Sequence, residues 1–201
     1  ERGPALPREA QNWDVEAVFC EQRYKTDETW YADGRAFRPG MFYFVGGHTK
    51  FYGTALFRFR ERDFEELVHE EGVSPAWPIR YADIAPWYSY VERFIGVSGE
   101  RLGLAQLPDG EFLPPMQLNC AERHVRDRLK TAFGGERHLT IGRAAILTQD
   151  HNGRKACHYC GPCERGCITH SYFNSIGSTL PAARATGRLT LRPHSVVHSV
   201  I

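Results

Sequence analysis

The stretch Val45-Gly46-Gly47-His48-Thr49-Lys50-Phe51-Tyr52-Gly53 decides how the rest of the chain is read. Two adjacent glycines let a backbone pass close to another group, and the N–H groups exposed there can hold phosphate or meet a flat ring edge. Taken alone, such a pair is an ordinary turn. It is not a nucleotide fingerprint, because neither G-x-G-x-x-G nor a P-loop occurs in the 201 residues. Upstream, Phe42 to Val45 is apolar and β-favouring, which predicts a strand that the glycines break. Downstream, Arg58, Arg60 and Arg62 alternate, which predicts charges along one solvated strand edge.

A second stretch, Ala156–Ser171 (ACHYCGPCERGCITHS), holds four of the six cysteines. Cys157, Cys160, Cys163 and Cys167 follow the spacing C-x2-C-x2-C-x3-C, with Gly161, Pro162 and Gly166 as turn residues between them. Turns of this kind let several sulfurs converge, as a metal ion or an iron–sulfur cluster requires. The same spacing also suits local disulfides or buried free thiols. Zinc is the weaker version, because structural zinc usually takes two separated ligand pairs. The bacterial ferredoxin run shares the spacing but places proline after its fourth cysteine, where this chain has Ile168. His158 and His170 flank the run as candidate accessory ligands. The nine histidines show no catalytic spacing.

Composition narrows the class. Lys and Arg number 25 against 24 Asp and Glu, so no global field favours nucleic acid or an anionic membrane. Apolar content of 42% and charged content of 24% describe a chain able to bury a core. No run approaches the roughly 18 apolar residues of a membrane helix. The opening ERGPALPREA and the closing SVVHSVI both read as interior to a longer chain.

Local patterns predict a mixed α/β fold (α+β in part). Residues 1–40 carry turn residues, among them Asp33-Gly34, without a sustained period. Asp63 to His69 begins like a capped helix, with Phe64, Leu67 and Val68 on one face and Gly72 as its stop. A stronger helix follows Asp83, where Ile84, Trp87, Tyr88, Val91, Phe94 and Ile95 form one apolar stripe and Pro86 falls in the first turn. Residues 97–119 read as a Gly/Pro/Leu loop, and Glu122–Phe133 as a helix stopped by Gly134-Gly135. His138–Thr148 is strand-like; a helix near Asn174–Arg184 and a hairpin-like pair, Leu189–Arg192 with Val196–Ile201, close the chain.

Set in order, several separated blocks carry a resemblance. They are Pro39-Gly40, the Gly-Gly stretch, Phe57–Phe64, Trp77-Pro78-Ile79-Arg80-Tyr81-Ala82-Asp83, Val91–Gly99, Phe112–Met116, the cysteine loop and Thr179–Ile201. Together they resemble the glucose–methanol–choline (GMC) flavoprotein oxidoreductases, in the bacterial branch that includes pyranose oxidases and sugar-acid dehydrogenases. The resemblance implies a fragment of an FAD-binding Rossmann-like domain with part of the substrate or cap region. On that footing residues 1–60 and 151–201 belong to the FAD-binding domain, and 61–150 to the cap or substrate domain. It implies oxidation of a CH–OH group of an alcohol, sugar or sugar acid, with hydride passing to flavin N5. Glu1 is matched to the acidic residue that meets the FAD ribose. Gly46, Gly47 and Thr49 match the Gly-Gly-x-Ser/Thr element beside the FAD, and Val197 the position whose backbone meets adenine. Some relatives carry a flavin-linked histidine at the position of Phe51, so FAD is expected to be non-covalent here. The general-base histidine is expected C-terminal to this chain, which by itself is expected to be inactive. An iron–sulfur cluster on Cys157, Cys160, Cys163 and Cys167 would then pass electrons from FAD to a quinone or cytochrome. The alternative is an iron–sulfur or metal-stabilised electron-transfer module built on Cys157–Cys167.

Overall fold

The computed structural model describes residues 1–163 and 166–200. In chain order they form a hairpin of β1 (Trp30–Ala32) and β2 (Arg35–Phe37), and a second hairpin of β3 (Leu67–His69) and β4 (Gly72–Ser74). Three helices follow, α1 (Tyr81–Ile95), α2 (Cys120–Ala132) and α3 (Thr179–Ala185). The architecture is mixed α and β, with two small antiparallel sheets among the described residues. Contacts divide the chain into two units, 1–53 with 158–201, and 54–157.

In the first unit, β1 and β2 turn through Asp33 (φ 50°) and Gly34 (φ 74°). Positive φ at both turn positions matches the right-handed twist of short hairpins, and Asp-Gly supplies it cheaply. Trp30 lies opposite Phe37, and their rings meet edge-on at 6.3 Å. The strands are three residues each, too short to show a period in the sequence. The strand expected over 42–45 is absent; residues 44–45 bend into the turn before Gly47, and the backbone is held by Phe42 N–H to His48 Nε2 at 3.3 Å and by Val45 N–H to the Pro4 carbonyl at 2.9 Å. Nor do residues 189–192 and 196–200 form a hairpin. Instead the backbone near 192–195 pairs with the chain start: Ser195 N–H donates to Glu1 O at 2.9 Å, and the Glu1 ammonium to Arg192 O at 3.1 Å. Val196, Val197 and Val200 are exposed, so no burial rewards their pairing. Ile201, the end of that expected strand, lies outside the described residues. The last helix is shorter than expected because Asn174 Oδ1 accepts from Gly177 N–H at 2.8 Å and holds 174–177 in a turn. The core here is Ala17, Val18, Tyr24, Val45 and Tyr172.

The second unit is organised by α1. Arg80 N–H donates to Asp83 Oδ2 at 2.8 Å, so the helix starts at Tyr81 and Asp83 is its third residue rather than its cap. Pro86 therefore sits in the second turn, inside the helix, where it forfeits one backbone bond. The buried face also differs from the apolar stripe. Trp87 and Val91 are exposed, whereas Glu92 and Ile95 are buried. The cause is Arg58, whose guanidinium reaches Glu92 with two bonds of 2.8 and 2.6 Å and also donates to Ser89 Oγ and Tyr81 OH. Arg58 is thus buried and paired, a correction to the solvated arginine edge; Arg60 pairs locally with Asp63, and Arg62 stays exposed.

Gly96 (φ 76°) ends α1, and a Cβ there would collide with the fully buried Leu147. The last carbonyls of the helix are taken up by one turn. His151 Nε2 meets Arg93 O at 2.6 Å, Asn152 donates to Phe94 O at 3.0 Å, and the buried Arg154 guanidinium donates to Ile95 O. A cation at a helix C-terminus is favourable on charge grounds as well. The helix expected from Asp63 is instead a single 3-10 turn (Glu61–Phe64) followed by β3 and β4. Phe64, Leu67 and Val68 fit helical spacing over too few residues to offset nucleation, and Val68 and Val73 face each other across the hairpin. Residues 138–148 form isolated bridges rather than a strand, through Ala144 to Ala55 and Ser98.

Candidate functional site

The Gly-Gly stretch makes a compact loop in the first unit. Gly46 (φ 86°) caps a 3-10 turn, Gly47–Lys50, and Gly47 also has positive φ (49°). Both conformations favour glycine. Gly46 is packed: a Cβ there would come within 3.0 Å of Ile176 Cγ1. Gly47 is open, with nothing within 4 Å of the same position.

Thr49 ties this loop down. Its hydroxyl donates to Gly46 O at 2.5 Å and accepts from Ser175 N–H at 3.1 Å. Glu1 reaches the same place, because Gly46 N–H donates to its Oε1 at 3.3 Å. Four of the sequence candidates (Glu1, Gly46, Gly47, Thr49) therefore gather at one loop. Val197 is exposed on the segment that follows the backbone pairing of residues 192–195 with the chain start.

Phe51 stacks on Phe42 with centroids 4.0 Å apart and planes 17° from parallel. The Tyr172 hydroxyl then accepts from Tyr52 N–H (3.1 Å) and Gly53 N–H (2.9 Å), which pins the exit of the loop. Tyr172 is buried and its ring meets Tyr52 edge-on at 5.5 Å.

Beside the loop lies a cavity of about 110 Å³, lined among others by Lys50, Phe51, Cys163, Cys167, His170 and Ile176. It is the point where the Gly-Gly loop and the cysteine run meet. Lys50 Nζ donates to Val45 O at 2.6 Å, and burial lowers its pKa to about 8, against the opposing field of Glu1. Sequence reading missed Lys50, Tyr172 and Asn174 as site residues. No residue pattern marks a buried amine, since burial arises from the distant segments 6–24 and 166–176, with Cys163, closing over position 50.

The cysteines are less gathered than their spacing suggests. No disulfide joins any of the six. Cys163 and Cys167 share the cavity; Cys160 is exposed, and Cys157 N–H donates to Leu147 O at 2.8 Å in the second unit. Among the described residues no group of three or more His, Cys, Asp or Glu side chains converges as for a metal ion. Glu164 and Arg165 of the run lie outside the described residues.

The loop thus presents an open glycine flank at Gly47 beside the Glu1 carboxylate that the Gly46 amide holds. In the second unit a wider polar groove of about 720 Å³ is lined by Arg60, Glu65, Tyr81, Gln106 and Asp109, among others. Asp109 is set by the amides of Leu102 and Gly103, both at 3.0 Å, and by Arg143 at 2.9 Å.

No protein-family model matches the chain. It is 34% identical over 170 residues to paromamine 6'-oxidase of Streptomyces fradiae, a match covering 83% of this chain and 28% of that protein. It is 32% identical over 178 residues to 6'''-hydroxyparomomycin C oxidase of Streptomyces lividus, covering 83% and 31%. A third relative, 2-methyl-1,2-propanediol dehydrogenase of Mycolicibacterium austroafricanum, is 29% identical over 161 residues, covering 78% and 28%. The matched region is thus under a third of the length of these relatives. Among the described residues, no helix is long and apolar enough to cross a membrane.

Proposed function

We propose that this chain supplies part of the cofactor cradle of an FAD-dependent oxidoreductase of GMC type, which oxidises a CH–OH group of an alcohol, sugar or sugar acid. The observation that carries the reading is the meeting of Glu1, Gly46, Gly47 and Thr49 at one loop. Bound FAD would supply the two-electron acceptor. The protein's part is placement. Glu1, held by the Gly46 amide, receives ribose hydroxyls; Gly47 leaves room for the ring; Thr49 and Tyr172 keep the loop from shifting. Phe51 has no nucleophile to offer, so FAD is held without a covalent bond.

The substrate class is supported by the relatives, which are by name two oxidases and a dehydrogenase, one acting on a hydroxy compound and one on a diol. The cysteine run belongs to the same proposal as an electron relay from FAD to a quinone or cytochrome.

Absorption spectroscopy of the purified full-length protein tests these points together. Flavin bands that separate from the polypeptide on denaturation are expected, and Gly47→Val should lower flavin content. Additional sulfide-to-iron absorption would support the relay, whereas iron–sulfur absorption without flavin would overturn the reading.

A further inference from the structure

The chain has four lysines, and Lys50 is the one that lines the cavity beside the Gly-Gly loop. We propose that the Lys50 amine is a covalent docking point for small aldehydes, which enter this cavity and form an imine with Nζ. Three features of the cavity point there.

The first is the shape and lining of the cavity. Leu6, Val18, Phe51 and Ile176 give it apolar walls, and about 110 Å³ admits a molecule of roughly four to six heavy atoms. An alkyl chain is better placed there than in water, and a dry wall disfavours return of the water that imine formation releases.

The second is how the amine is held. One N–H points to the Val45 carbonyl at 2.6 Å, and the Phe44 ring lies 5.8 Å away. Among the described residues no carboxylate forms an ion pair with it. Lys155 is the contrast: Asp150 grips its ammonium at 2.6 Å and raises its pKa.

The third is the charge state that follows. Tyr24, Cys163, Cys167 and His170 share the cavity lining with Lys50, and the burial that lowers its pKa outweighs the stabilising field of Glu1. The uncharged form that nucleophilic attack requires is therefore a minority at neutral pH, but a larger one than for a solvated lysine. The step balances without an oxidant. The nitrogen lone pair attacks the carbonyl carbon and one N–H proton passes to the oxygen, giving the carbinolamine. Its C–O bond then breaks as the hydroxyl takes one proton from solvent and leaves as water, and the remaining N–H proton returns to solvent to give the neutral imine.

An aldehyde is also the product class of the alcohol oxidation proposed above, but the imine needs no turnover, so the two ideas can fail separately. The test is reductive trapping on the full-length protein. Butanal and sodium cyanoborohydride are added at pH 7.5, and peptides are mapped by mass spectrometry. The expected result is butylation of Lys50 about tenfold or more faster than of Lys25, Lys130 or Lys155, with the rate rising as pH passes about 8. A biphenyl aldehyde, too large for the cavity, should lose that preference. Butylation of Lys50 no faster than of Lys155, or an equal preference with the large aldehyde, overturns the proposal whether or not the protein oxidises alcohols.

Discussion

At the residue scale, Glu92 shows how much one charged side chain can organise. It sits on the buried face of α1, accepts both Arg58 bonds and also the Glu111 N–H at 2.9 Å. Even Gly110 is fitted to it, since a Cβ there would strike the Glu92 carboxylate. Replacing only one member of such a pair leaves the other buried and uncompensated, which costs about 3–5 kcal/mol. Glu92→Ala is therefore expected to lower the stability of the full-length protein by that amount in urea titration, and Arg58→Met with Glu92→Leu to recover a large part of it. A double variant as unstable as the single one would show that the pair is not where the cost lies. The Arg58 guanidinium is held protonated still more firmly than usual by the Glu92 hydrogen bonds, so this pair does not loosen at any ordinary alkaline pH.

At the element scale, the two longer helices are made differently. α1 is anchored at both ends, by the Arg80–Asp83 bond at its start and by His151, Asn152 and Arg154 on its last carbonyls. α2 buries no residue, and Val125 is exposed, so its ends matter more than its face. Asn119 and Glu122 exchange reciprocal bonds at its N-terminus, Glu122 N–H to Asn119 Oδ1 at 2.9 Å and Asn119 N–H to Glu122 Oε2 at 2.7 Å. Asn119→Ala should cost about 1 kcal/mol and raise amide exchange in the first turn of α2, with α1 unchanged. Unchanged exchange in that turn would place the start of the helix under some other control. Both helices were legible from sequence, though α1 begins two residues before Asp83. Their buried faces were not, because an apolar count cannot see that Glu92 has a partner 34 positions earlier.

At the scale of the whole molecule, the titrating groups pull stability in two directions. Hydrogen bonds from Arg23 hold the Glu9 carboxyl below its usual range, Arg60 does so for Asp63, Arg93 for Glu111 and Lys155 for Asp150. Asp109 is raised by burial but lowered further by the amides of Leu102 and Gly103 and by Arg143, so its net shift is also downward. A lowered carboxyl stabilises the fold above its unfolded pKa and loses that contribution as pH falls through the folded value. Stability should therefore drop below about pH 4. Lys50 has the opposite effect: burial penalises its charged form, so stability rises as pH passes from about 8 toward the unfolded value of 10.5. Urea midpoints from pH 3 to 10 check both, and Lys50→Met should flatten the alkaline rise while leaving the acid drop. A rise of equal size in that variant would assign it to another group.

Composition, spacing and local pattern were enough to establish a mixed α/β chain, the two longer helices, the loop over 97–119, and the Gly-Gly stretch as a turn. These are short-range matters, settled by φ preferences, caps and apolar periodicity within about a dozen residues. Packing settled the rest. Whether 42–45, 138–148 and 196–200 pair as strands depends on partners far along the chain, and the hairpin β3–β4 displaced a helix whose run was too short to nucleate. The cavity beside Lys50 and the bond from Ser175 to Thr49 arise when segments more than a hundred residues apart close together, and the gathering of Glu1 onto Gly46 spans 45 positions. Burial and hydrogen-bond partnership are properties of that closure, and no local pattern encodes them.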